Sequence, residues 1–189
     1  MKTILPMLTK NTDQLREVVN QHIAADSVIQ GNYWDAETHK GCFIGCLAHD
    51  DNPAINESRY GLPLMVQRIA ESIFEGLSGD EAKAFFAAFP DAVDCDGKDL
   101  TRVGWQFLAA EMRSLPKQSS EIQAVIDPVI AGIDLLAFGR QWNLAAASDA
   151  ASAVASAVAS AVAWAAARLR QRDLLLKLIA DAPVVEVQP

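Results

Sequence analysis

Positive charge is the scarcer of the two signs in this chain. Sixteen Lys and Arg stand against 24 Asp and Glu, a formal net charge of -8, with a sequence pI near 4.8. A surface that neutralises phosphates needs clustered basic side chains, so a nucleic-acid backbone is not expected as a partner. An acidic surface suits a basic partner instead, or imitates nucleic acid toward a protein that binds it. Cysteine is scarce and odd in number, at three, which argues against a disulfide framework. Residues 1–10 carry lysines at their edges and no sustained apolar core, so no signal peptide is read there. A reduced, cytoplasmic protein with free thiols is the expectation. Period-two alternation is nearly missing as well, which leaves little room for sheet.

What remains is helical. The 51% apolar content supports a real core. A first helix is predicted from Asn11 or Thr12, carrying Leu15, Val18, Val19, Ile23 and Ile29 on one face with His22 beside them, and stopping at Gly31. Residues 32–40 read as a polar loop into a short helix that ends at Asp50 to Pro53. Leu62-Pro63 opens a helix with Val66, Ile69, Ile73 and Leu77 as its seam. Ser78-Gly-Asp-Glu81 matches a capping box for a helix carrying Phe85, Phe86 and Phe89 and closing at Pro90. Further helices are predicted from Thr101 to Leu115 and from Glu121 to Phe138, the latter kinked at Pro128.

After Gly139 the composition changes abruptly. Between Ala145 and Ala167, 14 of 23 residues are alanine, and Ala-Ser-Ala-Val occurs three times from Ala151 to Val162. Alanine is the strongest helix former, so one helix from about Asn143 to Ala182 is expected, on the order of 60 Å long. Its Val154, Val158 and Val162 row and Trp164, which takes the place of the repeat's serine, form a candidate interaction surface of small side chains. Asp149 and the regular serines make the stretch too polar for a membrane span, and Arg168, Arg170 and Arg172 follow it. Pro183 to Pro189 form a tail that either stays disordered or adds a short strand.

The reactive chemistry concentrates in Gly41-Cys-Phe-Ile-Gly-Cys-Leu-Ala-His49. On one continuous helix Cys42, Cys46 and His49 would share a face with Gly41 and Gly45. Three chemistries are open. A metal could be held by Cys42, Cys46 and His49 with His39, His22 or Cys95 as a fourth ligand, although Cys-x3-Cys departs from zinc-knuckle spacing and no second knuckle exists. Cys42, in the first turn of its helix, could be a nucleophile with His49 or His39 as base and Asp35 or Asp50 as orienter. The two thiols could cycle as a redox pair, although parallel side-chain vectors disfavour it. Against these stands the plain reading that both cysteines are small buried apolar residues on a glycine-lined packing face. The acidic turn 94–99 fails as a calcium loop, because Ala92 and Val103 fall at its first and last ligand positions.

The string Lys40 to His49, with Arg59-Tyr-Gly-Leu-Pro63 and Ile73-Phe-Glu-Gly-Leu77, resembles a family of uncharacterised short bacterial and phage proteins. The likeness continues through Gly97-Lys-Asp-Leu100, Gly104-Trp-Gln-Phe107 and Arg170-Gln-Arg-Asp-Leu174, and Gly-Cys-x2-Gly-Cys-x2-His is its core. It implies no catalytic residue. It implies a mobile-element setting, in which small proteins bind host proteins.

Together these observations predict an all-α bundle of about seven helices ending in a long alanine-rich helix. One domain spans 1–189, with an N-terminal part (1–116), a hairpin containing the long helix (117–182) and a tail (183–189). The expected function is non-enzymatic. The chain is read as an acidic interaction protein that binds itself, as a homodimer, or a host protein, with no cofactor, metal or membrane. The alternative is a cysteine-dependent enzyme or small metal-binding protein built on Cys42, Cys46 and His49.

Overall fold

The structure, a computed structural model, describes residues 6–117, 119–140, 142 and 164–185. It is mostly helical, as the patterning predicts, with eight helices among the described residues: α1 Thr12–Ala24, α2 Phe43–Ala48, α3 Ala54–Tyr60, α4 Leu64–Gly76, α5 Gly79–Val93, α6 Val103–Ser114, α7 Ser120–Ala137 and α8 Trp164–Ala180. The one sheet described is a two-stranded antiparallel hairpin, β1 Trp34–Asp35 with β2 Lys40–Gly41, in register Trp34 with Gly41. No described helix is long and apolar enough to cross a membrane. The chain divides into two compact units, one of Met1–Thr101 with Ala165–Pro189 and one of Arg102–Trp164. The first is therefore discontinuous, and the second is inserted into it.

In the first unit the core forms around Phe43. Its ring stacks on Phe85 at 5.5 Å and meets the edges of Phe86 and Phe89 at 5.5 and 4.9 Å. All four rings are buried. Aromatic pairs in these geometries contribute roughly 0.5–1.5 kcal/mol each beyond area burial. The three phenylalanines of α5 thus anchor α2. The capping box of α5 forms as predicted, with the Glu81 carboxylate accepting from the Ser78 amide at 3.3 Å and hydroxyl at 2.7 Å. On α8, Leu175 and Ile179 are buried, four apart on one face.

Several boundaries differ from the sequence reading, each for a local reason. Helix α1 stops at Ala24, because Asp26 turns left-handed (φ 50°) and the Ser27 amide donates back to the His22 carbonyl. Ile29 therefore leaves the helix. Residues 34–41 form the hairpin where a loop was expected. An additional helix, α3, follows Pro53, its first amide capped by the Asn52 side chain at 3.0 Å. Helix α5 runs through the buried Pro90 to Val93, since a proline three residues from the end removes only one hydrogen bond. Helix α6 begins at Val103, two residues late, because Asp99 Oδ1 takes the Thr101 amide into a turn. In the tail, Val184 bridges Lys98 in a short antiparallel pairing.

The second unit is built on α6 and α7. Ala109, Met112, Ile126, Val129 and Ile133 form its buried cluster, with Trp105, Leu108 and Trp142 packed against it. The Trp142 ring covers Gly132, where a Cβ would stand 2.0 Å from the indole. Ser119 caps α7, which passes through Pro128. The helix predicted from Asn143 is described only from Trp164 onward. Val154, Val158, Val162 and the side chain of Trp164 lie outside what the structure describes.

Candidate functional site

The hairpin positions the site. Its turn is fastened by the Asp35 carboxylate, which accepts from the Glu37 amide at 2.9 Å and the Thr38 hydroxyl at 2.7 Å. The Thr38 hydroxyl and these amides hold the Asp35 carboxyl below the usual range. Asp35 thus organises the turn locally. Beyond β2 the Cys42 amide donates to the Asn32 and Tyr33 carbonyls at 2.8 and 3.1 Å. Helix α2 then crosses the Tyr33 peptide so closely that only glycine fits. A Cβ on Gly45 would stand 1.5 Å from the Tyr33 carbonyl oxygen, and one on Gly41 2.3 Å. The two glycines of the motif accommodate this crossing.

The motif does not lie on one helical face. Cys42 is the N-cap with extended backbone (ψ -172°), and His49 is the C-cap with left-handed backbone (φ 55°). Only the six residues between them are helical, so the two thiols turn inward while the imidazole turns out. Cys42 and Cys46 are free and buried. The Cys42 thiol bonds to the Glu71 carboxylate, and the Cys46 thiol donates to the Gly41 carbonyl at 3.1 Å. Glu71 Oε2 also accepts the Ile44 amide at 3.0 Å, capping α2 from across the unit. Burial, reinforced by Glu71, pushes the Cys42 thiol far above its usual value, and burial pushes Cys46 up to about 12. A thiol held in this way is poorly suited to the nucleophile role considered for Cys42. Burial likewise raises the Glu71 carboxyl. Among the described residues, the one group of three or more candidate ligand atoms within 4.8 Å of one another is Cys42, Glu71 and Glu75. Both carboxylates already serve backbone amides, Glu75 accepting from Gly31 at 2.9 Å. The alternative set Cys42, Cys46 and His49 is not among such groups in the described residues. Cys95 is half-buried in the turn after α5, where its carbonyl accepts the Thr9 hydroxyl.

The chain's three histidines gather instead around Trp34. The His49 ring stacks on the indole at 4.9 Å and 15°, His22 meets it edge-on at 5.8 Å, and His39 tilts against it at 6.0 Å. His22 Nε2 lies 2.9 Å from His49 Nε2, and His22 Nδ1 lies 2.6 Å from Ser27 Oγ. His22 is buried, whereas His39 and His49 are exposed. Burial and the neighbouring His49 lower the His22 pKa, while the Cys46 carbonyl opposes the shift. Burial and the Arg59 guanidinium lower that of His49. Sequence spacing gave no sign of this pairing, because 27 residues separate the partners. The one available signal was His22 on the apolar face of α1.

Lys98 also went unread. It is buried, and its ammonium donates to the Ala92 and Ala180 carbonyls at 3.1 and 2.9 Å, tying the ends of α5 and α8. No protein-family model matches this chain, and neither a curated protein nor a solved structure matches it.

Proposed function

We propose that this chain is a non-enzymatic, acidic helical interaction protein that binds itself, as a homodimer, or a host protein. The observation that carries the reading is in the second unit. On α7, Ile122 and Val125, three residues apart, are 43% and 47% exposed, and Phe138 beyond the helix end is 74% exposed. Grouped apolar side chains left outward mark association surfaces more often than isolated ones do. The net charge of -8 favours a partner with basic groups around an apolar centre. The thiols support the same reading. Their burial and raised pKa values oppose thiolate chemistry, so the motif's cysteines serve the fold, and free thiols suit a reducing, cytoplasmic setting. The resemblance to short phage and bacterial proteins fits a small modulator of host proteins.

The test is light scattering on the full chain across concentrations, beside a Val125→Asp variant. A dimer that the substitution dissociates supports self-association. A monomer throughout moves the reading to a host partner, and capture of one protein by the parent chain but not by Val125→Asp then supports it. A monomer that captures nothing in a Val125-dependent way overturns the proposal.

A further inference from the structure

The hydrogen bonds around His22 accommodate one polarity of the histidine pair. With Ser27 Oγ donating to the His22 carbonyl at 3.2 Å, its lone pairs can accept from His22 Nδ1–H at 2.6 Å. In that tautomer His22 Nε2 carries the lone pair of the 2.9 Å contact and His49 Nε2–H donates to it. An imidazole with one N–H held by an oxygen acceptor and a lone pair on its other nitrogen has the arrangement that orients histidine ligands in metal sites. Two nitrogens bound to one tetrahedral zinc at about 2.0–2.1 Å lie about 3.3 Å apart, so the pair must open by about 0.4 Å and turn until both lone pairs converge on the ion. His49 is exposed and can make that adjustment.

We propose that His22 and His49, joined by His39 from the hairpin turn, form a site for one divalent first-row transition cation of the zinc class. Imidazole nitrogens suit zinc, copper and nickel, and disfavour magnesium and calcium, which prefer oxygen. The two Nε2 atoms supply the preformed half of the site. His39 stands against the same indole without joining the pair, and it swings in on its exposed turn when the cation binds. Water completes the coordination. On binding, the cation takes the place of the shared hydrogen: His49 gives up its Nε2 proton and carries one on Nδ1 instead, so neutral His49 releases no net proton. Arg59 lies close enough to act on His49 and opposes a cation, which sets a modest affinity. The site is separate from the apolar side of α7, so its test and the association test fail independently.

The experiment is calorimetric titration of the untagged full chain with Zn2+ alone at pH 7.5, repeated with Mg2+. One equivalent of Zn2+ and no Mg2+ binding are expected. His49→Ala, an exposed change, should lower affinity at least tenfold. Ser27→Ala should lower it by about 10–100-fold, the usual effect of losing a group that orients a ligand. Cys42→Ser and Cys46→Ser should leave it unchanged. A second readout is quenching by Cu2+ of the Trp34 contribution to fluorescence, taken as the difference from Trp34→Phe. No stoichiometric Zn2+ uptake overturns the site. So does uptake that survives His49→Ala, or uptake that is lost with either thiol.

Discussion

Replacing Gly45 with alanine adds one methyl group to a six-residue helix, where intrinsic propensity favours the change by up to about 1 kcal/mol. The structure predicts the opposite outcome. The new carbon would lie 1.5 Å from the Tyr33 carbonyl oxygen, 2.5 Å from its carbon and 3.3 Å from the Trp34 amide nitrogen. The obstacles are backbone atoms, so no side-chain rotation relieves the contact. Helix α2 and β1 must separate by nearly 2 Å, roughly the gap between 1.5 Å and an ordinary contact distance. That separation breaks the 3.1 Å bond from the Cys42 amide to Tyr33 and disturbs the Trp34–His49 stack. Overpacking costs about 1–3 kcal/mol and lies at the upper end against backbone, and the lost hydrogen bond adds about 1. After subtracting the propensity gain, the net loss is about 2–3 kcal/mol, a large share of a typical total of about 5–15. Urea denaturation followed by circular dichroism measures it. The control is Gly79→Ala in the first turn of α5, where nothing lies within 4 Å of the added carbon. That variant should be neutral or gain less than about 1 kcal/mol. A Gly45→Ala protein within about 0.5 kcal/mol of the parent would refute the close crossing.

Two further predictions concern titration and thiol access. His22 and His49 have folded-state pKa values below the unfolded 6.5, so the unfolded chain binds more protons and stability falls as pH drops from about 6.5 through the folded values. Glu71, raised above 4.5, has the opposite sign: its stability contribution is full below 4.5 and is lost as pH rises through the folded value. Glu71→Gln should therefore stabilise the protein at pH 7 and steepen its acid loss, measured as urea midpoints from pH 7 to 4.5. A parallel shift at every pH would count against a buried, raised carboxyl. With a disulfide reagent at pH 8, half-buried Cys95 should react first, and Cys42 and Cys46 only at the rate of unfolding. Three thiols reacting together in native buffer would contradict their burial.

The sequence made legible what depends on near neighbours. The all-α class, the Ser78–Glu81 capping box and the phenylalanines of α5 follow from propensity, spacing and local caps. The motif's glycines do line a close approach, but it is the Tyr33 peptide that approaches and not another helix, and the motif's surroundings were not legible. Asp96 caps α1 by accepting the Thr12 amide at 2.9 Å from 84 residues away, so Asn11 leaves that role and bonds the Arg59 carbonyl instead. Glu71 starts α2 from 27 residues away. A helix started from outside need not obey the periodicity that placed Cys42 and His49 on one face. Pairings at such separations leave no periodic trace, which is also why the histidine cluster was invisible until the fold assembled it.

The loop at 97–99 has a consequence for the order of synthesis. On one edge it pairs with the N-terminal segment, Thr9 exchanging backbone bonds with Lys98 and Gly97 at 2.9 and 2.8 Å. On the other edge it accepts the Val185 amide and donates to Pro183, both at 2.8 Å, while Lys98 reaches Ala180. During translation the first edge is satisfied as soon as residue 99 leaves the ribosome. The second edge must wait until the whole inserted unit and α8 have followed. Domains of a growing chain fold as they emerge, at roughly 5–20 residues per second. For about 4–17 seconds, then, the 97–99 loop has one edge whose partners are not yet made. The second unit, contiguous in sequence, emerges whole before the last residues of the first.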